Sequence, residues 1–250
     1  MLCTLIWTMI LQSMSSPKSQ ERRWTMPKHI DSLADLLDVI QKMSEYLVGK
    51  IQFTKDGWPI FERKHLLLDL PEKVITYQYR NTISPDLKSK TLLCFFSADS
   101  RIYPRFLNLF DELDEYKCYQ GVAAPDITVT WDMDIELQEC LMLANQLFLA
   151  VLAVNGVKVV FNTRCGSANT QKCFHNIPRN AMWISGFLGC STAKSFYEAD
   201  IYVAKILRLL PCQIIIYGKH DYRIDSELNM IGLDYYYYAD YRSLSKRRPV

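Results

Sequence analysis

"VKVVFNTRCGSANTQKCFHNIPRNAMWISGFLGC" runs from Val157 to Cys190 and contains two apolar runs that end alike. Val157 to Phe161 breaks into Asn162, Thr163, Arg164 and Gly166. Met182 to Ile184 breaks into Ser185, Gly186 and Gly189. Continuous apolar runs of this kind suit strands covered on both faces, as in a parallel sheet wrapped by helices.

The flanking sequence repeats the pattern. "IELQECLMLANQLFLAVLAV" (135–154) predicts a helix of about five turns, at ~3.6 residues per turn, stopped by Asn155 and Gly156. "TLLCFF" (91–96) and "GVAAPDITV" (121–129) read as strands, with the helical periodicity of "RFLNLFDELDEY" (105–116) between them. Downstream, "SFYEADIYVAKILRLL" (195–210) predicts a helix ended by Pro211. "QIIIYG" (213–218) and "GLDYYYY" (232–238) predict two more strands. Alternating strands and helices predict an α/β domain with a mostly parallel sheet of about five or six strands, barrel-like or open. No strand is followed by a dinucleotide glycine fingerprint, which favours the barrel-like form.

From Gly57 to Asp86 the pattern is irregular, broken by Pro59, Pro71 and Pro85, and predicts loops with about two short strands. Residues 15–29 read as a linker. A helix then starts at Ser32, which pairs with Asp35 as a capping box, and Leu33, Leu36, Leu37, Ile40, Met43 and Leu47 recur at helical spacing up to Gly49. The expected organisation is an N-terminal extension over 1–50, an α/β domain over 51–240 and a basic tail over 241–250.

With 29 basic and 27 acidic residues the net charge is +2, so no global field draws the chain to nucleic acid or membrane. Lys246, Arg247 and Arg248 in the tail are the one biased stretch and the expected route to any nucleic-acid contact. The eight cysteines have irregular spacing and several lie in apolar runs, which predicts reduced thiols in a cytoplasmic protein. "MLCTLIWTMILQSM" has no positive n-region or small-residue cleavage site and is too short to span a bilayer, so no membrane role is expected. Met1, Met14 and Met26 are all candidate translation starts, the later two leaving this segment as an upstream extension.

In a parallel α/β sheet the strand C-termini gather on one edge, where ligands bind. Here that edge would hold Asp99, Asp126, Asn162, Thr163, Arg164, Ser185, Gly186 and Gly218. Asp99 and Asp126 are the candidate acid/base residues or metal ligands. Asn162, Thr163, Arg164, Gly186, Gly189 and Lys194 are the candidate ligand-binding set, suited to a phosphate-bearing small molecule. The competing reading is that aspartate and asparagine at strand ends only cap turns. "GFLGCSTAKS" (186–195) has the order of a phosphate loop but is a residue short and has Ala193 where the last glycine belongs, so it fits a helix N-terminus holding one phosphate better. Cys165, Cys173, His175 and Cys190 lack a CxxC pair, which argues against zinc. No motif names a cofactor.

The motifs "CFFSADSRIYPRFL", "GVAAPDITVTWDMD", "NGVKVVFNTRCG", "CFHNIP", "GFLGC" and "IIIYG", in this order over about residues 90–220, resemble the bacteriophage and bacterial family catalogued as domain of unknown function 4417. The resemblance implies an origin in a phage or mobile element and brings no activity with it. Its recurrent positions match Asp99, Asp126, Thr128, Asp132, Asn162, Gly166, Cys173, Phe174, Pro178 and Gly189. The chain departs from the family pattern at "NQLF" (145–148), where relatives are arginine-rich. It departs again at His175 and Asn176, where they carry aspartate and glycine, and near Cys165, where they have a tryptophan. These readings yield two expectations: an enzyme binding a phosphate-bearing ligand at the strand ends, or a non-catalytic protein binding a host protein or nucleic acid, with the tyrosines at 235–238 as aromatic contacts.

Overall fold

The computed structural model describes residues 26–187 and 196–241. Seven strands form one sheet: β1 (Lys73–Thr76), β2 (Thr91–Phe95), β3 (Gly121–Pro125), β4 (Val159–Asn162), β5 (Met182–Phe187), β6 (Gln213–Gly218) and β7 (Tyr235–Tyr238). Their order in space is their order in the chain, and every neighbouring pair is parallel. Parallel crossovers are right-handed, so a sheet wound always in one direction carries its connections on one face and curls about the other.

The burial pattern shows that curl. Alternate residues along each strand point to opposite faces. Leu92, Cys94, Ala123, Val160, Ile184, Ile215 and Tyr217 meet in one cluster on the inner face, together with Val74 and Tyr238 from the two outermost strands. The Phe96 ring, just past β2, stacks on Tyr217 of β6 with centroids 5.6 Å apart, although β3, β4 and β5 would lie between them in a flat sheet. The outer face (Leu93, Phe95, Val122, Phe161, Trp183, Ile214) forms a second, larger core with the helices. Together these define a nearly closed parallel barrel.

β1 and β7 are the two edges, and side chains bridge the seam between them. The Tyr238 hydroxyl donates to the Pro71 carbonyl at 2.6 Å and the Tyr79 and Tyr241 rings stack at 3.6 Å, while the Tyr241 amide, donating to the Tyr217 hydroxyl at 3.2 Å, ties the end of β7 to β6. The tyrosine run at 235–238 is therefore mostly packing: the Tyr237 hydroxyl is bonded to Asp225 and its ring stacks on His220, while Tyr236 is exposed.

Helices α1 (Leu33–Leu47), α2 (Pro85–Lys88), α3 (Asp99–Leu107), α4 (Leu113–Lys117), α5 (Ile135–Val154), α6 (Phe196–Leu209) and α7 (Tyr222–Met230) complete the fold. The capping box of α1 is present: the Asp35 amide donates to Ser32 Oγ, and the Ser32 amide donates to the Asp35 carboxylate. Leu36, Val39, Ile40, Met43 and Leu47 of α1 are buried in the same outer core as α5. Tyr46 and Asn155 exchange hydrogen bonds between the two helices. Helix α5 is the one described helix long and apolar enough to cross a membrane, but 83% of that stretch is buried inside the protein.

The sheet has one or two strands more than expected, because β1 lies in the segment read as irregular. The single helix expected over 105–116 is two, α3 and α4, separated at Asn108–Glu112. Of the six described cysteines, Cys94, Cys140 and Cys173 are buried, Cys165 is half-buried, and Cys118 and Cys212 are exposed. The tail at 242–250, Gly189, Cys190 and Lys194 lie outside the described residues.

Candidate site at the strand C-termini

Asp126 follows β3 directly, and Asn162 is the last residue of β4, so parallel pairing of these strands brings them together. Asn162 Nδ2 donates to Asp126 Oδ1 at 2.9 Å. Arg164 grips the same carboxylate with both arms, Nε to Oδ1 at 2.9 Å and Nη2 to Oδ2 at 3.2 Å. The Arg164 amide closes the cluster by donating to Asn162 Oδ1. The Asp126 side chain is 13% exposed and that of Arg164 33%. Burial pushes the Asp126 carboxyl above its ordinary value, against the pull of Arg164 and the Asn162 bond, and the charge of Asp99 pushes the same way.

Asp99 opens α3, and its Oδ1 accepts from both the amide and the hydroxyl of Thr128. It thus fastens the loop after β3 while adding negative charge to the Asp126 cluster. Thr163 and Ser185 share a 2.6 Å hydrogen bond between β4 and β5, and Ser185 continues at 2.8 Å to the Tyr202 hydroxyl on α6. Gly186 has a packing reason: a Cβ there would lie 2.3 Å from the Phe96 ring. Gly166 is held in the same way, since a Cβ would meet the Gln138 carboxamide at 2.1 Å.

Sequence reasoning missed Lys205. It stands one helical turn beyond Tyr202 on α6, half-buried, with its Nζ 5.6 Å from the Tyr202 ring centre. It makes no hydrogen bond or ion pair among the described residues. Desolvation pushes its ammonium below the ordinary lysine value, and Arg164 adds repulsion, while Cys165 and Asp126 oppose the shift. A signal was available: Tyr202, Lys205, Ile206 and Leu209 fall at helical spacing, which puts a lysine on the stripe that faces the sheet.

The segment from Cys165 to Asn176 is tied to α5 by buried amides. Gln138 Oε1 accepts from the Ser167 amide, Gln146 Nε2 donates to the Cys173 carbonyl, and Asn176 Nδ2 donates to Gln146 Oε1 and to the Pro59 carbonyl. A small cavity lies beside them, bordered by Asn145, Gln146, Asn162 and Arg164. Asn145 Oδ1 is buried there without a partner among the described residues. Cys173 is buried and His175 exposed, so the two do not converge. Among the described residues no cluster of three His, Cys, Asp or Glu could hold a metal.

The molecule is thus a nearly closed parallel β/α barrel with a charged cluster at its strand C-termini. The chain belongs to the family Domain of unknown function (DUF4417), whose sequence model matches residues 57–236. The match extends beyond the 90–220 core read from the motifs and takes in all of β1 and the first two residues of β7. No curated protein and no solved structure matches the chain.

Proposed function

We propose that this protein binds a phosphate-bearing ligand, such as a nucleotide, a sugar phosphate or a nucleic-acid end, at the strand C-termini, and acts on it as an enzyme. The observation that carries this reading is Lys205, a half-buried lysine with no hydrogen-bond or ion-pair partner among the described residues, close to the Asp126–Arg164 pair. Asp126 compensates Arg164, which leaves Lys205 as the charge an anion would neutralise. A partly desolvated charge without a counter-ion among the described residues is unfavourable, and a ligand anion removes that cost. Arg164, oriented by its two bonds to Asp126, adds a fixed positive edge at little entropic cost. Asp126, with its raised affinity for protons, is the group suited to acid/base work, with Asp99 and the Thr163–Ser185–Tyr202 hydroxyl chain behind it. Gly189 and Lys194 belong to this proposal through the segment that joins β5 to α6. An origin in a phage or mobile element, and action in the host cytoplasm, are part of the same reading.

A thermal-shift screen of the purified protein against nucleotides, sugar phosphates, divalent metals and short oligonucleotides tests it, repeated on Asp126→Ala. A ligand that binds only the folded state raises Tm in proportion to the logarithm of its concentration over Kd. The expected result is a shift from a small phosphate that Asp126→Ala abolishes. A shift from oligonucleotides alone, unchanged in Asp126→Ala, would favour a non-catalytic nucleic-acid-binding protein instead.

A further inference from the structure

A second basic site lies on the flank of the barrel, outside the strand-end cluster. The 3-10 turn Ala168–Phe174 and the last turn of α6 bound an open cleft of about 580 Å3. Lys172, Arg179 and Arg208 line it, and among the described residues no carboxylate does. Two of these cations have partners: Lys172 pairs with Glu139 at 2.8 Å, and Arg208 donates to Gln171 at 2.9 Å. Arg179 is exposed and makes no hydrogen bond or ion pair among the described residues. At the cleft wall stands Trp183, 1% exposed, whose indole N–H is buried without a hydrogen-bond partner among the described residues. Leaving a buried donor unpaired is unfavourable, and the neutral partner such a group lacks is an acceptor oxygen.

From this combination we infer that the flank cleft binds a ligand of mononucleotide size that carries two or more phosphates. Glu139 compensates Lys172, so Arg179 and Arg208 supply two positive charges without a carboxylate partner among the described residues, and both offer planar forks suited to phosphate oxygens. The volume falls in the range of small-ligand sites. The exposed His175 ring and the Asn169 carboxamide, both at the rim, suit the uncharged part of such a ligand. Phe174 and Ile177 line both this cleft and the cavity that borders Arg164, so one wall of side chains separates the two. The inference stands apart from the strand-end reading, because none of its cations belongs to that cluster.

Isothermal titration with pyrophosphate and with ADP tests the inference, with orthophosphate and adenosine as controls. The wild-type chain is compared with the double variant Arg179→Ala/Arg208→Ala and with Asp126→Ala. Both arginines are exposed, so the double variant keeps the fold, which its Tm verifies. The expected result is binding of pyrophosphate and ADP that weakens at least tenfold in the double variant and survives in Asp126→Ala. Tryptophan fluorescence should change on binding in the wild type and not in Trp183→Phe, which places the ligand in this cleft. No heat with either compound at millimolar concentration, or equal binding by the double variant, would overturn the inference. Binding lost in Asp126→Ala but kept in the double variant would assign the ligand to the strand ends.

Discussion

Both oxygens of Asp126 are engaged by Arg164, and the more consequential residue beside them is Lys205, which no strand-end motif announces. Asp126→Asn keeps the shape of the carboxyl but leaves the guanidinium without its counter-charge. Because Arg164 is one-third exposed, the loss should be below that of a fully buried pair, about 1–3 kcal/mol in urea unfolding at pH 7. Lys205 predicts the opposite sign. Its folded-state affinity for protons is lowered, so between the folded and the ordinary lysine pKa the unfolded chain binds more protons. Across that alkaline window stability contributed by this group rises with pH, and at neutral pH the charged lysine costs stability. Lys205→Met should therefore raise stability by about 1 kcal/mol at pH 7 while removing the stabilisation given by phosphate ligands. A variant that is less stable and still responds to those ligands would mean that Lys205 is an ordinary packing residue.

At the scale of elements, Gly186 of β5 and Phe96 after β2 form a contact across the barrel interior. Gly186→Ala puts a methyl group into the Phe96 ring, and overpacking of this kind costs roughly 1–3 kcal/mol. Adding Phe96→Leu should recover most of that loss in a double-mutant cycle; strict additivity would show that the two do not touch. Elements whose signals are local were legible in the sequence. Helix α5 and strand β6 have the bounds expected, because Asn155 and Gly156 end one and Pro211 and Gly218 bracket the other. β1 has only four residues, with alternating burial, between Pro71 and a 3-10 turn, so it has too little apolar sequence to stand out. The 105–116 periodicity merged α3 and α4 because Phe106, Leu109 and Tyr116 are all buried, although the chain turns between them. Asp126, Asn162 and Arg164 were found together because parallel strands must end on one edge. Lys205 was not, because its place depends on how α6 packs against the barrel, where Tyr202 meets Ser185 of β5.

The whole molecule is a barrel held by six parallel ladders and one seam of side chains. The seam has no backbone ladder, so amide hydrogen exchange should be fastest in β1 and β7 and slowest in β3 to β5. Uniform protection across the seven strands would contradict that ranking. Neither the strand order nor the seam can be read from local pattern, since Tyr238 meets Pro71, and Tyr79 meets Tyr241, only after six crossovers have curled the sheet. A barrel of this kind gathers its functional groups at one end, where Lys205 is the proposed anchor for an anion. The most direct test is an NMR titration of the protein with 13C-labelled lysine, assigned with Lys205→Met, with and without a phosphate-bearing ligand from the screen. The account predicts that Lys205 loses its proton at lower pH than the surface lysines and returns toward the ordinary lysine value when the ligand binds. A Lys205 that titrates with the surface lysines and ignores the ligand would contradict it.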